Sequence, residues 1–470
     1  MRTSGDSAQA FLSGNFAPVR REVDADNPTV IGEIPRDLDG VFLRNGPNPQ
    51  FDPDGAYHWF DGDGMIHAVR LSKGRASYRN RWVRTRPWQL EHDAGRALWG
   101  GLASPLATDP PEGILIKHTA NTAMIHHGSK LLALMEATGA YELRLPSLDT
   151  VGLYDFEGSW PLPFTAHPKI DPATGEMITF GYQFWPPFLT YGEVAPDGTL
   201  THAAELSLRA PVMMHDFAIT ERYAVIMDLP LVFEHERMSE GRFPIVFKPE
   251  MGSRFGVLPR GGGDADVRWF DAPSCMVFHT ANAWEEDDSV VLVACRMDRT
   301  DVLSNAVTNE GAPSETGRLH RWRFDLSTGA VHEEPLDDVG SDFPRIHDGV
   351  TGAPTRMVYT ARVDPSRRDG RPWIDAVIKY DLSTGSSEAH AWGRGRYGGE
   401  AVFVPRTPSS TEDDGYLMTF VWDEREQRSE LVILDARTLT QRPLARVLMP
   451  QRVPFGFHGL WVDSAAFEAR

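Results

Sequence analysis

A nine-residue phrase that returns at a near-constant interval limits the folds open to this chain more than any other feature. RFDLSTGAV at Arg323–Val331 recurs as KYDLSTGSS at Lys379–Ser387 and, degenerately, as ILDARTLTQ at Ile433–Gln441, with KIDPATGEM at Lys169–Met177 as a fourth copy. In each, an Asp ends a strand-like run and a turn follows, and in three of them a Gly closes it. The Asp carboxylate can accept backbone N–H groups ahead of it, and Gly takes a positive φ without steric cost. Asp325, Asp381 and Asp435 stand 56 and 54 residues apart. A hairpin-bearing unit at that period suggests the blades of a β-propeller. The plainer alternative is a common hairpin turn recurring by chance.

Between the turns lie short β-rich runs, SVVLVACRM, RMVYTARV, WIDAVIKYDL, GYLMTFVWD and ELVILDA, each bounded by turn residues. With 42 Gly and 35 Pro in 470 residues, little room is left for long helices. Parts of Trp88–Leu102 and Thr300–Val307 are the expected exceptions. The fold class is therefore mainly β, with residues 1–470 forming a single propeller domain. The net charge of −19 is spread along the chain, which argues against a phosphate-binding surface and a nucleic-acid partner. Two cysteines, Cys275 and Cys295, make no disulfide framework and suit a reducing compartment. The opening MRTSGDSAQAFLSGNFAPVRREVD has no apolar signal core, and no run approaches the ~18 apolar residues of a membrane span. A cytoplasmic protein without a transmembrane segment is expected.

Four of the sixteen histidines share a setting. His167 lies in PFTAHPKID, His215 in PVMMHDFAIT, His279 in SCMVFHTANAW and His458 in PFGFHGLWVD, each after a short apolar or small-residue run at what reads as a strand end. None has the i, i+4 spacing of a helical zinc site. Gaps of 48, 64 and 179 residues let them meet only if separate elements converge on an axis, which the inner strands of a propeller do. Four imidazoles there would bind a first-row metal; four unrelated core histidines are the alternative. His126, His127, His202, His235 and His332 sit in polar or irregular contexts and read as surface residues. Glu136 (LLALMEATG), Asp342 (GSDFPRI) and Glu400 (YGGEAVFVPR) border apolar runs. A buried acid needs a donor, and the outer N–H of a metal-bound histidine is one; solvent exposure at strand ends is the ordinary alternative.

Taken in order, GVFLRNGPNPQF, YHWFDGDGMIH, FTAHPKIDPATGE, MMHDFAIT, FHTANAWEE, GEAVFVPR and FGFHG resemble the carotenoid cleavage oxygenases from about residue 30 to the end. The resemblance implies a seven-bladed propeller with a helical and loop cap over the iron-bearing face. Residues 1–30 would form an N-terminal extension, and segments including about 88–110 and 182–192 the cap. It implies one Fe(2+) per chain held by His167, His215, His279 and His458. Glu136, Asp342 and Glu400 would orient the last three ligands. The family usually has Glu where this chain has Asp342, so that contact must be closer or pass through water. Thr122, in ANTAMIHH, matches a position that blocks one open iron site and steers O2 to the other.

The implied reaction is oxidative cleavage of a C=C bond by O2 into two carbonyl products. Relatives that cleave hydroxystilbenes or isoeugenol carry a Lys before the first acid and a Tyr upstream, which grip the phenol oxygen; here those places hold Met135 and Leu102. A buried phenol without a partner costs ~1–3 kcal/mol, so a carotenoid or apocarotenoid is favoured over a lignostilbene-type or phenylpropanoid substrate. Phe278, and secondarily Phe51, are the aromatics expected beside the substrate. YQFWPPFLTYG and WGGLASPL are apolar enough to line a tunnel mouth at a membrane surface, or simply to pack under the cap. Retinyl ester isomerisation, a non-enzymatic binding propeller and a zinc-filled site are the competing readings.

Overall fold

The computed structural model describes residues 10–53, 57–102, 111–136, 138–160, 163–240, 243–300, 315–367, 369 and 371–468. Among them, seven sheets of four or more strands follow one another along the chain as the blades of a β-propeller. The third blade, Lys169–Ile170, Met177–Tyr182, Leu189–Val194 and Leu200–Leu206, gives the pattern: four antiparallel strands, running from the axis outward in chain order. The second begins at Ala123–His127, the fourth at Ala218–Ile219, the fifth at Met276–Glu286 and the sixth at Ser341–Arg345.

The remaining two blades close the ring with both ends of the chain. Gly459–Asp463 is the innermost strand of the first blade and pairs with Gly40–Pro47, from Gly40 opposite Asp463 to Arg44 opposite Gly459. Val30–Gly32 is the outermost strand of the seventh and pairs with Ala445–Leu448.

The recurring turns do what their chemistry suggests. Asp325 Oδ1 accepts the N–H of Ser327 and Thr328, both at 2.8 Å, and Gly329 takes φ 81°. Asp381 Oδ1 accepts from Ser383 at 3.0 Å, with Gly385 at φ 71°, and Asp435 Oδ1 accepts from Arg437 at 2.9 Å. These three close the outer hairpins of the fifth, sixth and seventh blades. The Asp171 copy closes the inner hairpin of the third, so it repeats the turn but not its place in the blade.

Core side chains fill the spaces between neighbouring blades. Every residue of Met177–Tyr182 is buried, and all but Arg296 of Ser289–Met297. One cluster joins Phe180 and Tyr191 of the third blade to Val225 and Phe255 of the fourth and Leu292 and Trp322 of the fifth. Burial of each such side chain contributes roughly 1.5–3 kcal/mol.

The helix expected within Trp88–Leu102 forms at Arg86–Ala94. Thr85 caps it through the Trp88 N–H, and Gly95, at φ 67°, ends it. Residues 301–307 of the second expected helix lie outside the described residues, as do 103–110 of the expected cap. In the other cap segment, Tyr182 and Leu189–Gly192 belong to blade strands, and residues 183–188 are the loop joining them. No described helix is long and apolar enough to cross a membrane.

Candidate metal centre

Four histidines come together from the innermost strands of four blades, three of them from residues just ahead of the strand. His458, His167 and His215 occupy such places ahead of Gly459–Asp463, Lys169–Ile170 and Ala218–Ile219. These are strand starts, where the sequence suggested strand ends. His279 lies inside Met276–Glu286, where the pairing register shifts between Val277 and Thr280. Such a bulge re-aims a side chain that strict alternation would point elsewhere.

The four imidazoles offer nitrogens that all lie within 4.8 Å of one another. Ring centroids are 4.5 Å apart for His167 and His458, 4.9 Å for His279 and His458, and 5.1 Å for His215 and His279. Three rings are held from outside. Nδ1 of His215 lies 2.6 Å from Glu136 Oε2, that of His279 2.9 Å from Asp342 Oδ1, and that of His458 3.0 Å from Glu400 Oε1. With Nδ1–H donating outward, each Nε2 presents a lone pair inward. His279 Nε2 is buried without a hydrogen-bond partner, and the Nε2 atoms of His167 and His215 stand 3.1 Å apart. A proton on His167 Nε2 can bridge that pair, but His279 Nε2 stays a buried acceptor without a partner, at a cost of roughly 1–3 kcal/mol. A cation among the four supplies that partner, so the donor set fits a divalent first-row metal.

Electrostatics keep two of the four rings neutral. Burial, and then the neighbouring imidazoles, keep His167 well below the usual histidine range. Burial also leaves His458 lowered despite Glu400. For His215 burial pulls downward, but the Glu136 carboxylate outweighs it and the net shift is upward. Burial would raise Glu400; Arg345, His458 and the Gly459 N–H override it and hold the carboxyl at about 2.

Asp342 meets His279 directly. The same Oδ1 accepts the Phe343 N–H at 2.8 Å, Phe343 adopts φ 54°, and the strand loses register between Asp342 and Arg345. This local bulge lets the shorter side chain reach the imidazole.

Thr122 stands ahead of the innermost strand of the second blade, in the ring position that other blades give to histidine. Its carbonyl accepts the His458 N–H at 3.2 Å. Met135 precedes Glu136, and its sulfur accepts from the Thr119 hydroxyl at 3.1 Å. Leu102 is half-buried against the cluster that contains Phe278, with its N–H on Asp61 Oδ1 at 2.9 Å. The Phe278 ring is 5.7 Å from that of His215. Phe51 is half-buried in the loop after Gly40–Pro47.

Two contributors escaped the sequence reading. Phe343 stacks on His279 at 4.9 Å and lies 5.4 Å from His458. Arg345 Nη1 reaches both Glu400 Oε2, at 3.4 Å, and the Gly459 carbonyl, at 3.1 Å. Both stand within three residues of Asp342, and an Arg so near a buried acid was the available signal. His127, expected at the surface, is buried with Nε2 on the Gly175 carbonyl at 3.0 Å, because the neighbouring blade covers it.

The chain is similar to known proteins over nearly its whole length. The family model described as RPE65, retinal pigment epithelial membrane protein, matches residues 16–463. The chain is 40% identical to carotenoid 9,10(9',10')-cleavage dioxygenase 1 of Arabidopsis thaliana, over 96% of this chain and 89% of that one. Its structure is similar to that of Pseudomonas brassicacearum lignostilbene dioxygenase, with TM-score 0.90 and 33% identity over 97% and 98% of the two chains. A variant of Synechocystis apocarotenoid oxygenase is similar at TM-score 0.86 and 27% identity, over 98% and 99%.

Proposed function

The chain belongs to the carotenoid cleavage oxygenase family, and from that footing we propose an Fe(II)-dependent dioxygenase that cleaves one C=C bond of a carotenoid or apocarotenoid with O2 into two carbonyl products. The observation that carries the metal is the inward convergence of four imidazole nitrogens, three of them backed by carboxylates.

In this reading His167, His215, His279 and His458 hold the iron. Ferrous iron so bound supplies the one-electron chemistry that lets O2 react with an alkene. Glu136, Asp342 and Glu400 fix the tautomer and tilt of three ligands. The surrounding charge suits a divalent ion. Glu136, Asp342, Glu400 and the buried Asp216 bring four negative charges, of which Lys169, on Asp216, and Arg345, on Glu400, offset two. Thr122 narrows one side of the site, and Phe278 and Phe343 flank the double bond. No group is required as general acid or nucleophile; the protein positions an apolar chain and excludes water.

Met135 and Leu102 favour the polyene. The Met135 sulfur is engaged by Thr119 and offers no cation to a phenolate, and Leu102 offers no hydroxyl. The names of the relatives by sequence support the same choice, and a hydroxystilbene remains the second reading through the structural likeness to a lignostilbene dioxygenase. We further propose that the loop 183–188, between two strands of the third blade, meets a membrane surface where a lipid-dissolved polyene enters. Trp185 is 62% exposed and stacks on His235 at 3.9 Å. Absence of vesicle flotation would refute that contact.

The test is protein loaded with Fe(II) without air, then exposed to O2 with an apocarotenal or, separately, resveratrol, products being read by mass. Two carbonyl fragments from the apocarotenal alone are expected. Cleavage of resveratrol alone would overturn the substrate assignment.

A further inference from the structure

We propose that Asp216 is a positioning residue of the metal centre, setting the relative heights of the three consecutive strands that carry His167, His215 and His279. The proposal rests on the reading of these histidines as ligands.

Asp216 follows His215 directly and is 1% exposed. Its Oδ1 pairs with Lys169 Nζ at 2.7 Å, and Lys169 lies two residues beyond His167 on the innermost strand of the third blade. Its Oδ2 accepts the Thr280 N–H at 2.8 Å and lies 2.9 Å from the Thr280 hydroxyl, and Thr280 follows His279 in the fifth blade. The hydroxyl also lies 2.9 Å from the Phe217 carbonyl, and the Phe217 N–H donates to Asp216 Oδ1 at 2.8 Å. One side chain therefore joins three blades, each at a residue adjoining a ligand.

Two features make this more than a buried ion pair. The first concerns His167. Glu136, Asp342 and Glu400 grip the rings of the other three ligands, whereas among the described residues no carboxylate contacts His167. Its strand is instead tied through Lys169 to the aspartate behind His215. The second concerns the His279 bulge. Thr280 faces Ala294 as a lone register pair between two shifts, so the ladder holds it weakly along the axis and needs further support. Two hydrogen bonds to Asp216 supply it. Lengthening any of these contacts slides one Nε2 against the others, and metal affinity is sensitive to displacements of that kind.

The test uses the full chain with Co(II) as probe, read by titration and by its visible ligand-field bands, with thermal melting of the metal-free protein alongside. Wild-type protein binding no Co(II) would strike the four-histidine reading itself; the variants bear on Asp216. Asp216→Asn removes the charge that pairs with Lys169. Asp228→Asn is the control: Asp228 is fully buried in the same blade, pairs with Arg209 at 3.0 Å and Arg254 at 2.5 Å, and contacts none of the four histidines. Thr280→Val, a gentler change, deletes one hydroxyl and keeps the backbone N–H.

Both Asn variants are expected to melt lower. Asp216→Asn alone should weaken Co(II) binding by about tenfold or more and shift the bands, and Thr280→Val should weaken it less, in the same direction. Wild-type affinity and bands in Asp216→Asn would overturn the proposal, as would equal weakening by Asp228→Asn. Should Asp216→Asn fail to fold, unchanged Co(II) binding by Thr280→Val overturns it.

Discussion

Asp342 holds His279 by one oxygen that also caps its own backbone, and the bulge around Phe343 brings it into reach. Removing the carboxylate with Asp342→Ala should lower Fe(II) affinity by about 10–100-fold, read by anaerobic titration. Asp342→Glu should recover only part of that loss, because the extra methylene overfills a contact already at 2.9 Å. Met135 and Leu102 make the substrate preference testable at the same scale. Met135→Lys combined with Leu102→Tyr is expected to raise turnover of a hydroxystilbene and lower that of an apocarotenal, as a ratio of kcat/KM values; an unchanged ratio would mean that other groups select the substrate. The four histidines that converge were legible in the sequence because polar His in apolar runs stands out. Asp216, Phe343 and Arg345 were not. Their neighbours in space come from other blades, and apart from the nearness of Arg345 to Asp342 nothing local marks them as contributors to this site.

Among the elements, the short turn Trp59–Asp61 carries aromatic side chains toward the site. Phe60 and Trp59 both pack on Phe457, next to His458, at 5.4 and 4.3 Å. His58 caps the turn, with Nδ1 accepting the Phe60 N–H at 3.1 Å, so its ring must be neutral at that nitrogen. Burial pushes it down to about 4 from 6.5. The folded value lies below the unfolded one, so the contribution is complete above pH 6.5 and is lost as pH falls toward 4. The window corresponds to about 3 kcal/mol. Other histidines, His67 and His118 among them, are lowered by burial in the same way. Urea unfolding at pH 7 and pH 5 should therefore show an acid loss in the wild type that is smaller by about 2 kcal/mol in His58→Asn, whose amide oxygen can keep the cap without titrating. Equal losses in both would place the acid sensitivity elsewhere. The Asp-led turns were the most readable elements, since their hydrogen bonds close within three residues. That the Asp171 copy closes an inner rather than an outer hairpin was not readable, because a turn motif carries no record of its distance from the axis.

The whole molecule is a ring fastened at two depths. Gly459–Asp463 completes the first blade from inside and Val30–Gly32 completes the seventh from outside. The inner fastening also places His458, so ending the chain after His458 should abolish cooperative melting along with metal binding. Ile31→Pro, on the outer strand with its side chain 47% exposed, should cost only about 1–3 kcal/mol and leave metal affinity intact. Comparable damage from both would show that the ring does not depend on its inner closure. The blade number and the axial position of the histidines were accessible from repeat spacing together with family resemblance. Completion of the seventh blade by the N-terminal segment was not, because Val30–Gly32 is a three-residue strand without a turn motif of its own.

The central claim is that four imidazoles, with no thiolate or carboxylate among them, bind one ferrous ion on the propeller axis. Anaerobic Fe(II) titration of the full chain, with X-ray absorption at the iron edge, tests it most directly. The account predicts one iron per chain, an all-nitrogen set of protein donors, and loss of binding in His279→Ala. Iron bound through oxygen or sulfur side chains, or held undiminished in His279→Ala, would contradict it.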